Sequence, residues 1–437
     1  MEYAGAPATG GQSGKGVAWL VPFVVMLFFA WGFATVLIDT LIPKLKGLFA
    51  LSYAEVMLTQ FCFFAAYFIM SVPAGFILSK LGYIRSVVVG LVVTAAGCLM
   101  FAPAARMGVY EGFLLALFIM ASGITLLQVA ANPLMALLGK PESSHPRLTF
   151  AQAFNSLGTF LGPKVGAALI LAGGVVALPD ASKMAPEALA ALRVKEAAAT
   201  QTPFLMIAAG LAVLALVFWF ARRTTAVPKP GKAVGLGETL ALLGNNRVAL
   251  GALSIFIYVG AEVSIGSLMA NYLMSADTVG FTAEKAGETV ALYWGGAMIG
   301  RFVGGFLLWL TKKPGGLLSL FALGAAGLAA TSAFSTGAAA AYTIVAVGLF
   351  NSIMFPTIFT LAIEGQAEKT PQASGLVCMA IVGGAIIPLA TGALADQYGL
   401  HLALLLPAVC YLWIAVYGRV ASRPAPVSAV AAPLPAQ

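Results

Sequence analysis

Residues 28–43 read FFAWGFATVLIDTLIP, and the place of Asp39 in that run decides how the rest of the chain is read. The segment is too apolar to be solvated, yet it carries a carboxylate toward its far end. An ionised acid in hydrocarbon is costly unless it faces a polar cavity or a partner, so such a residue marks a working site in a membrane protein. The alternative is that Asp39 reaches interfacial water and only ends its helix. Against it, the run stays apolar through Leu41 and Ile42 before Lys44 and Lys46 meet the interface.

Composition extends this reading outward. Of 437 residues, 60% are hydrophobic and 9% charged, against roughly 25% charged in a typical soluble domain. Apolar runs long enough to cross a hydrocarbon core of about 30 Å recur along almost the whole chain, which makes it an all-α, polytopic membrane protein. The formal charge of +8 is scattered through short loops, with no domain to carry a basic face for nucleic acid. Cys62, Cys98, Cys378 and Cys410 all sit inside apolar runs without metal-ligand spacing, and are read as small buried hydrophobes. His145 and His401 fall in loops, too few and too far apart for a metal site or a catalytic triad.

Counting apolar runs between charged or Pro/Gly-rich breaks predicts twelve spans: 17–42, 53–79, 84–104, 109–138, 147–174, 202–221, 246–274, 287–311, 315–335, 339–363, 373–395 and 399–420. An even count puts both termini on one side. Loops on that side carry fifteen of the 24 Lys and Arg, so the positive-inside rule makes both termini cytoplasmic. The longest polar break on the same side, residues 222–245, divides an N-terminal bundle (17–221) from a C-terminal bundle (246–420). Residues 1–16 lack the features of a signal peptide, and with the Ala/Pro-rich end, 421–437, they are expected to be disordered tails. Residues 184–199 have the composition of a short surface helix.

The halves resemble each other. Span four has Gly123 and, ten residues on, Pro133; span ten has Gly348 and, eight residues on, Pro356. Span five contains GTFLGPKVGAAL and span eleven GGAIIPLATGAL. Breakers recurring at matching places in two halves indicate an internal repeat, with a substrate site between the halves near the midplane.

Four ionisable residues fall within spans: Asp39, Lys164, Glu262 and Arg301. Glu262, about 16 residues into span seven, suits a site that takes up and releases a proton, because desolvation favours its neutral form; the plainer reading is a glutamate bonded to a neighbouring helix. Arg301 lies among Gly296, Gly300 and Gly304, whose four-residue spacing lets helices approach closely. It either pairs with a carboxylate across that contact or extends toward the cytoplasmic face. Lys164, nine residues after Asn155, falls on the opposite side of its helix and is read as pairing or snorkelling. Gln128, Asn132, Gln152, Asn155 and Asn351 supply amides, while Phe28, Phe29, Trp31, Tyr258, Tyr293 and Trp294 supply rings. Amides that donate and accept, beside flat apolar faces, suit a neutral polyhydroxylated ring such as a sugar. Each amide could equally join helix to helix. A nucleotide-binding Gly-rich loop, a zinc ligand pair and a Gly-x-Ser-x-Gly elbow are missing from the sequence, so the reading is a carrier driven by a gradient, needing no cofactor and catalysing no reaction.

The stretches FFAWGFATVLIDTLIP, QFCFFAAYFIMSVPAG, LLQVAANP, RLTFAQAFNSLG, IYVGAEVSIGS, YWGGAMIGRF, GLFNSIMFPTIF and AIVGGAIIPLATGALAD resemble the fucose permease family of the major facilitator superfamily, and within it the bacterial glucose/galactose transporters. The resemblance spans roughly residues 20–418. It implies the major facilitator fold, twelve transmembrane helices in two six-helix bundles, and symport of a hexose with a cation by alternating access. Asp39 then matches a first-helix aspartate used in proton coupling and sugar contact, and Gln152 and Asn155 match cavity residues of the fifth helix. Gln128 stands where fucose permease has a second functional glutamate, and Glu262 where it has a glutamine, which leaves the coupling ion open. In GFILSKLGYIRS, Ser79 occupies the aspartate position of the superfamily's Gly-x-x-x-Asp-Arg/Lys pattern.

The resulting expectation is a monomeric inner-membrane symporter importing glucose, galactose or a relative such as mannose or N-acetylglucosamine. Asp39 and Glu262 are its coupling carboxylates, with a proton the first choice of ion and sodium the second. Gln128, Gln152, Asn155 and Asn351 contact the sugar beside Phe29, Trp31, Tyr258 and Trp294, and Arg301 and Asn132 are structural or gating residues. The rival class is a drug or sugar efflux antiporter, which calls for a mainly apolar cavity with few amides.

Overall fold

The computed structural model describes residues 18–49, 51, 55, 58–107, 109–170, 187, 201–223 and 234–422. Residues 1–16, residues 423–437 and nearly all of the 184–199 segment lie outside these residues; Ala421, expected to begin the C-terminal tail, instead ends the last helix. Twelve long helices follow in order: α1 (Val21–Phe49), α2 (Leu58–Leu81), α3 (Tyr83–Met107), α4 (Tyr110–Leu137), α5 (Ser144–Ile170), α6 (Gln201–Ala221), α7 (Asn246–Met274), α8 (Ala283–Thr311), α9 (Pro314–Phe334), α10 (Gly337–Ile363), α11 (Ala367–Tyr398) and α12 (Leu400–Ala421). At 1.5 Å per residue even the 21-residue α6 and α9 span about 30 Å, enough to cross a bilayer. The interval between α6 and α7 holds a short helix, Leu236–Ala241.

Local chemistry sets the ends. Asn245 caps α7 by accepting from the Arg247 backbone N–H at 2.9 Å, and Thr282 caps α8 through the Lys285 N–H at 3.3 Å. Pro314 opens α9, where its missing N–H costs nothing. The tight reversals from α2 to α3 and from α11 to α12 turn on Gly82 (φ 78°) and Gly399 (φ 85°), a left-handed backbone that glycine adopts without strain.

Neighbouring helices reveal the repeat. In the first half α3 packs on α4 and α6, α1 on α5, and α2 on α4; in the second, α9 packs on α10 and α12, α7 on α11, and α8 on α10. Adding six to each helix number of the first set produces the second. Between halves the main contacts are α5 with α8 and α2 with α11, which are likewise exchanged by that operation. The chain is therefore two six-helix bundles of one design. Large side chains such as Phe220, Phe334 and Leu389 point outward, each at least 70% exposed, as a surface solvated by acyl chains requires. Cys98, Cys378 and Cys410 are buried, and all four cysteines are free thiols.

The start of α1 and the end of α12 share one face, here termed the base, with the α2–α3, α4–α5, α8–α9 and α10–α11 turns. Near it the halves touch closely. A Cβ on Gly75 of α2 would lie 2.8 Å from the Pro371 carbonyl of α11, and one on Gly375 would lie 2.8 Å from that of Ser71.

Candidate functional site

The site forms where two helices carry prolines. A proline has no N–H to return to the carbonyl four residues earlier. Pro356 frees the Ser352 carbonyl, and α10 is interrupted there, its two helical stretches running Gly337–Asn351 and Met354–Ile363. Arg301 of α8 fills the vacancy, its Nε donating to the Ser352 oxygen at 3.1 Å. The same guanidinium donates through NH1 to the Gln152 carbonyl at 3.3 Å and to the Ser156 hydroxyl, both on α5 of the other half. Pro133 frees the Val129 carbonyl of α4, and the Ser374 hydroxyl of α11 donates to it at 2.8 Å. Each half thus frees one carbonyl, and the other half is tied to it.

Glu262 stands beside the α10 interruption. The Tyr258 hydroxyl, one turn earlier on α7, lies 2.8 Å from Glu262 Oε1 and 3.1 Å from the Asn351 carbonyl. Asn351 Nδ2 donates to the Tyr293 hydroxyl at 2.7 Å, and that hydroxyl donates to the Glu262 backbone carbonyl at 3.4 Å. One polar chain therefore runs from Glu262 through Tyr258, Asn351, Ser352 and Arg301 to Gln152 and Ser156. Arg301 has no carboxylate bonded to it among the described residues; backbone carbonyls and a hydroxyl hold it instead, an arrangement that neither sequence alternative included. Its glycine stripe faces α10 as the spacing requires: a Cβ on Gly300 would lie 2.6 Å from the Leu349 carbonyl, and Gly296 and Gly304 meet Leu349 and Ile353.

The remaining candidates separate by exposure. Gln152, Asn132, Asn351, Tyr258 and Trp31 are buried between helices: Gln152 Nε2 donates to Asn132 Oδ1 at 3.3 Å, and Trp31 lies against Phe28 with ring centroids 4.2 Å apart. Gln128, Asn155 and Glu262 are half-buried and Trp294 is 37% exposed, so these four retain surface for a ligand. Gln128 Nε2 donates to the Tyr67 hydroxyl at 2.5 Å, and Asn155 Nδ2 to the Phe28 carbonyl at 3.1 Å, each keeping its amide oxygen out of those bonds. Phe29 lines a separate apolar cavity of about 470 Å³ with Val25, Met26, Phe150, Phe154 and Leu157. Asp39 and Lys164 belong to α1 and α5, and their side chains lie outside the described residues.

Sequence reasoning missed Ser156, Ser352, Ser374 and Tyr67. The signal for two of the contacts was present, since each proline names the carbonyl it frees. At the base, Ser79 takes the place of the superfamily's aspartate: it accepts from Gln372 Nε2 of the other half at 3.1 Å, so a neutral hydrogen bond joins α2 to α11 there.

A family model, Major Facilitator Superfamily, matches residues 20–381. The chain is 45% identical to the glucose/galactose transporter of Brucella abortus over 94% of this chain and 96% of that one. It is 33% identical to the L-fucose-proton symporter of Escherichia coli over 95% and 96% of the two chains. Among solved structures, the Major Facilitator Superfamily transporter FucP in the outward conformation superposes with a TM-score of 0.84 at 31% identity, covering 94% of this chain and all of that one. With its two interlocked six-helix bundles and full-length relatives, this chain belongs to the Major Facilitator Superfamily, in the group that holds the bacterial glucose/galactose transporters and the L-fucose-proton symporters.

Proposed function

We propose that this protein imports a hexose, glucose or galactose first, together with a cation by alternating access. The observation that carries the proposal is the polar chain from Glu262 to Ser156, because it joins a carboxylate set among apolar helices to the surface on which the two halves meet. A cation bound at Glu262 removes the cost of enclosing an ionised acid, so the halves close around a loaded site more readily than around an empty one. The half-buried amides of Gln128 and Asn155 and the Trp294 face offer hydrogen bonds and stacking to a sugar ring. The name of the Brucella relative supports the choice of sugar, and that of the Escherichia coli relative supports the proton as first choice of ion. Sodium is second. Asp39 is the other coupling carboxylate.

In this reading the N-terminal bundle is 17–221, the linker 222–245 and the C-terminal bundle 246–420. The base with both termini is cytoplasmic, the protein is a monomer in the inner membrane, and contacts across the base make the arrangement outward-facing. The excess of Lys and Arg on the base supports that orientation. Radiolabelled glucose uptake into proteoliposomes tests the reading, with an imposed pH gradient in one set and a sodium gradient at matched pH in another. Accumulation in one set identifies the ion; none with glucose or galactose in either set rejects hexose symport. Asp39→Asn is expected to abolish accumulation while exchange persists, and full accumulation in that variant removes Asp39 from the coupling.

A further inference from the structure

The Tyr258 hydroxyl has one hydrogen and two acceptors, Glu262 Oε1 at 2.8 Å and the Asn351 carbonyl at 3.1 Å. It cannot serve both fully. We propose that Tyr258 is a positioning residue that reports whether Glu262 holds a cation to the interrupted turn of α10, by turning its hydroxyl hydrogen from one acceptor to the other. The proposal rests on the reading of Glu262 as a coupling carboxylate.

With the site empty, Glu262 is an ionised acceptor, and the charge-assisted bond takes the hydrogen of Tyr258. The Asn351 carbonyl then loses its donor. When a proton from solution binds the carboxylate, –COO⁻ becomes –COOH and a donor toward Tyr258. The phenol oxygen accepts, its hydrogen turns to Asn351, and no proton leaves the tyrosine. A sodium ion has the same effect, since it attracts the phenol oxygen and repels the hydrogen.

The consequence reaches the other half of the protein. Asn351 is the last residue before the interruption, and the next carbonyl, that of Ser352, is the one Arg301 ties to α5. Tightening or releasing the Asn351 carbonyl therefore acts on the turn that holds the two halves together. The groups that bear on Glu262 are Tyr258 of α7, Tyr293 and Arg301 of α8 and Tyr411 of α12. Only Tyr258 bridges its carboxylate to the α10 backbone among the described residues. Tyr258 is fully buried, which keeps water from substituting for either acceptor.

Full-length protein in liposomes tests this with Glu262→Gln, Tyr258→Phe and the protein carrying 3-fluorotyrosine at 258, which keeps ring and hydroxyl but donates more strongly. Glucose Kd is measured with and without the coupling cation, alongside gradient-driven accumulation. In the unmodified protein the cation changes glucose Kd by a factor within the usual range of about 5–150 for coupled sites. Tyr258→Phe is expected to shrink that factor to about 2 or less and to lower the accumulation ratio toward 1, while glucose still binds. Fluorotyrosine, by holding the ionised carboxylate more tightly, is expected to raise the cation concentration needed for half-effect. If Glu262→Gln keeps full, cation-dependent accumulation, the reading of Glu262 fails and the relay with it. If Glu262→Gln uncouples but Tyr258→Phe keeps the unmodified cation effect on Kd, the relay alone is overturned. Should Tyr258→Phe fail to fold, an unmoved half-effect concentration in the fluorotyrosine protein overturns it equally.

Discussion

The Val129 carbonyl accepts from the Ser374 hydroxyl at 2.8 Å because Pro133, one turn later, has no N–H to give it. The bond crosses from one half to the other, and both residues are buried. Ser374→Ala leaves a buried carbonyl without a donor, a loss of about 1–3 kcal/mol, and the loss falls only on arrangements in which α4 and α11 touch. The expected outcome is a population shifted about tenfold toward the base-open state, since about 1.4 kcal/mol is a factor of ten. Thiol labelling of a single cysteine placed at the base measures it, and Ser374→Thr restores the original ratio.

Gly75 makes a steric version of the same point. Its Cα passes so close to α11 that a methyl would sit 2.8 Å from the Pro371 carbonyl. Backbone cannot yield as a flexible side chain does, so Gly75→Ala forces α2 and α11 apart at the base. The label at the base should react faster in Gly75→Ala than in the unmodified protein. Gly210→Ala is the control, with nothing within 4 Å of the added Cβ, and should leave labelling unchanged.

The sequence expectation of twelve spans agrees with the helices to within a few residues at most ends, because a hydrocarbon solvent makes apolar length alone diagnostic. The Gly and Pro spacings also disclosed the repeat. What those spacings did not disclose was where the freed carbonyls went: the donors, Arg301 and Ser374, lie far along the chain from Ser352 and Val129, and only tertiary packing brings them together. Exposure was equally hidden. Tyr258 and Trp294 read alike as aromatic platforms, yet one is sealed between helices and the other is 37% exposed. Asn155, read from the family resemblance as a cavity residue, holds α5 to α1 through the Phe28 carbonyl, the helix-joining one of the two uses that composition left open.

His145, at the first turn of α5 on the base, meets the other half: its Nδ1 lies 2.5 Å from the Thr360 hydroxyl of α10. Burial first, and then the positive charge of Arg247, lower its pKa from 6.5 to about 4. When the base opens, the ring meets water and its pKa returns toward the ordinary value, so the open state binds a proton more readily than the closed one. Closure is therefore fully favoured above about pH 6.5 and is progressively lost as pH falls toward about 4. Labelling at the base should accelerate as the pH on that side drops through this window. In His145→Gln, which keeps a polar partner for Thr360 without titrating, the acceleration should disappear.

Arg301 can be separated from a mere positive charge. Its planar fork reaches the Ser352 carbonyl through Nε while NH1 addresses Gln152 and Ser156 on α5. A lysine offers the charge from a single point and cannot span both helices at once. If the fork matters as a tie between halves, Arg301→Lys should slow glucose transport by roughly 10–100-fold, the range expected for the loss of one or two buried charge-assisted bonds. Glucose Kd in the same variant should move by less than about threefold, because the guanidinium is engaged with helices α10 and α5 rather than with the half-buried amides of Gln128 and Asn155. A charge-only role predicts the reverse, near-normal transport in Arg301→Lys, and Ser156→Ala separates the two further: it removes one acceptor of the fork without touching the charge, and should slow transport in the same direction by a smaller factor.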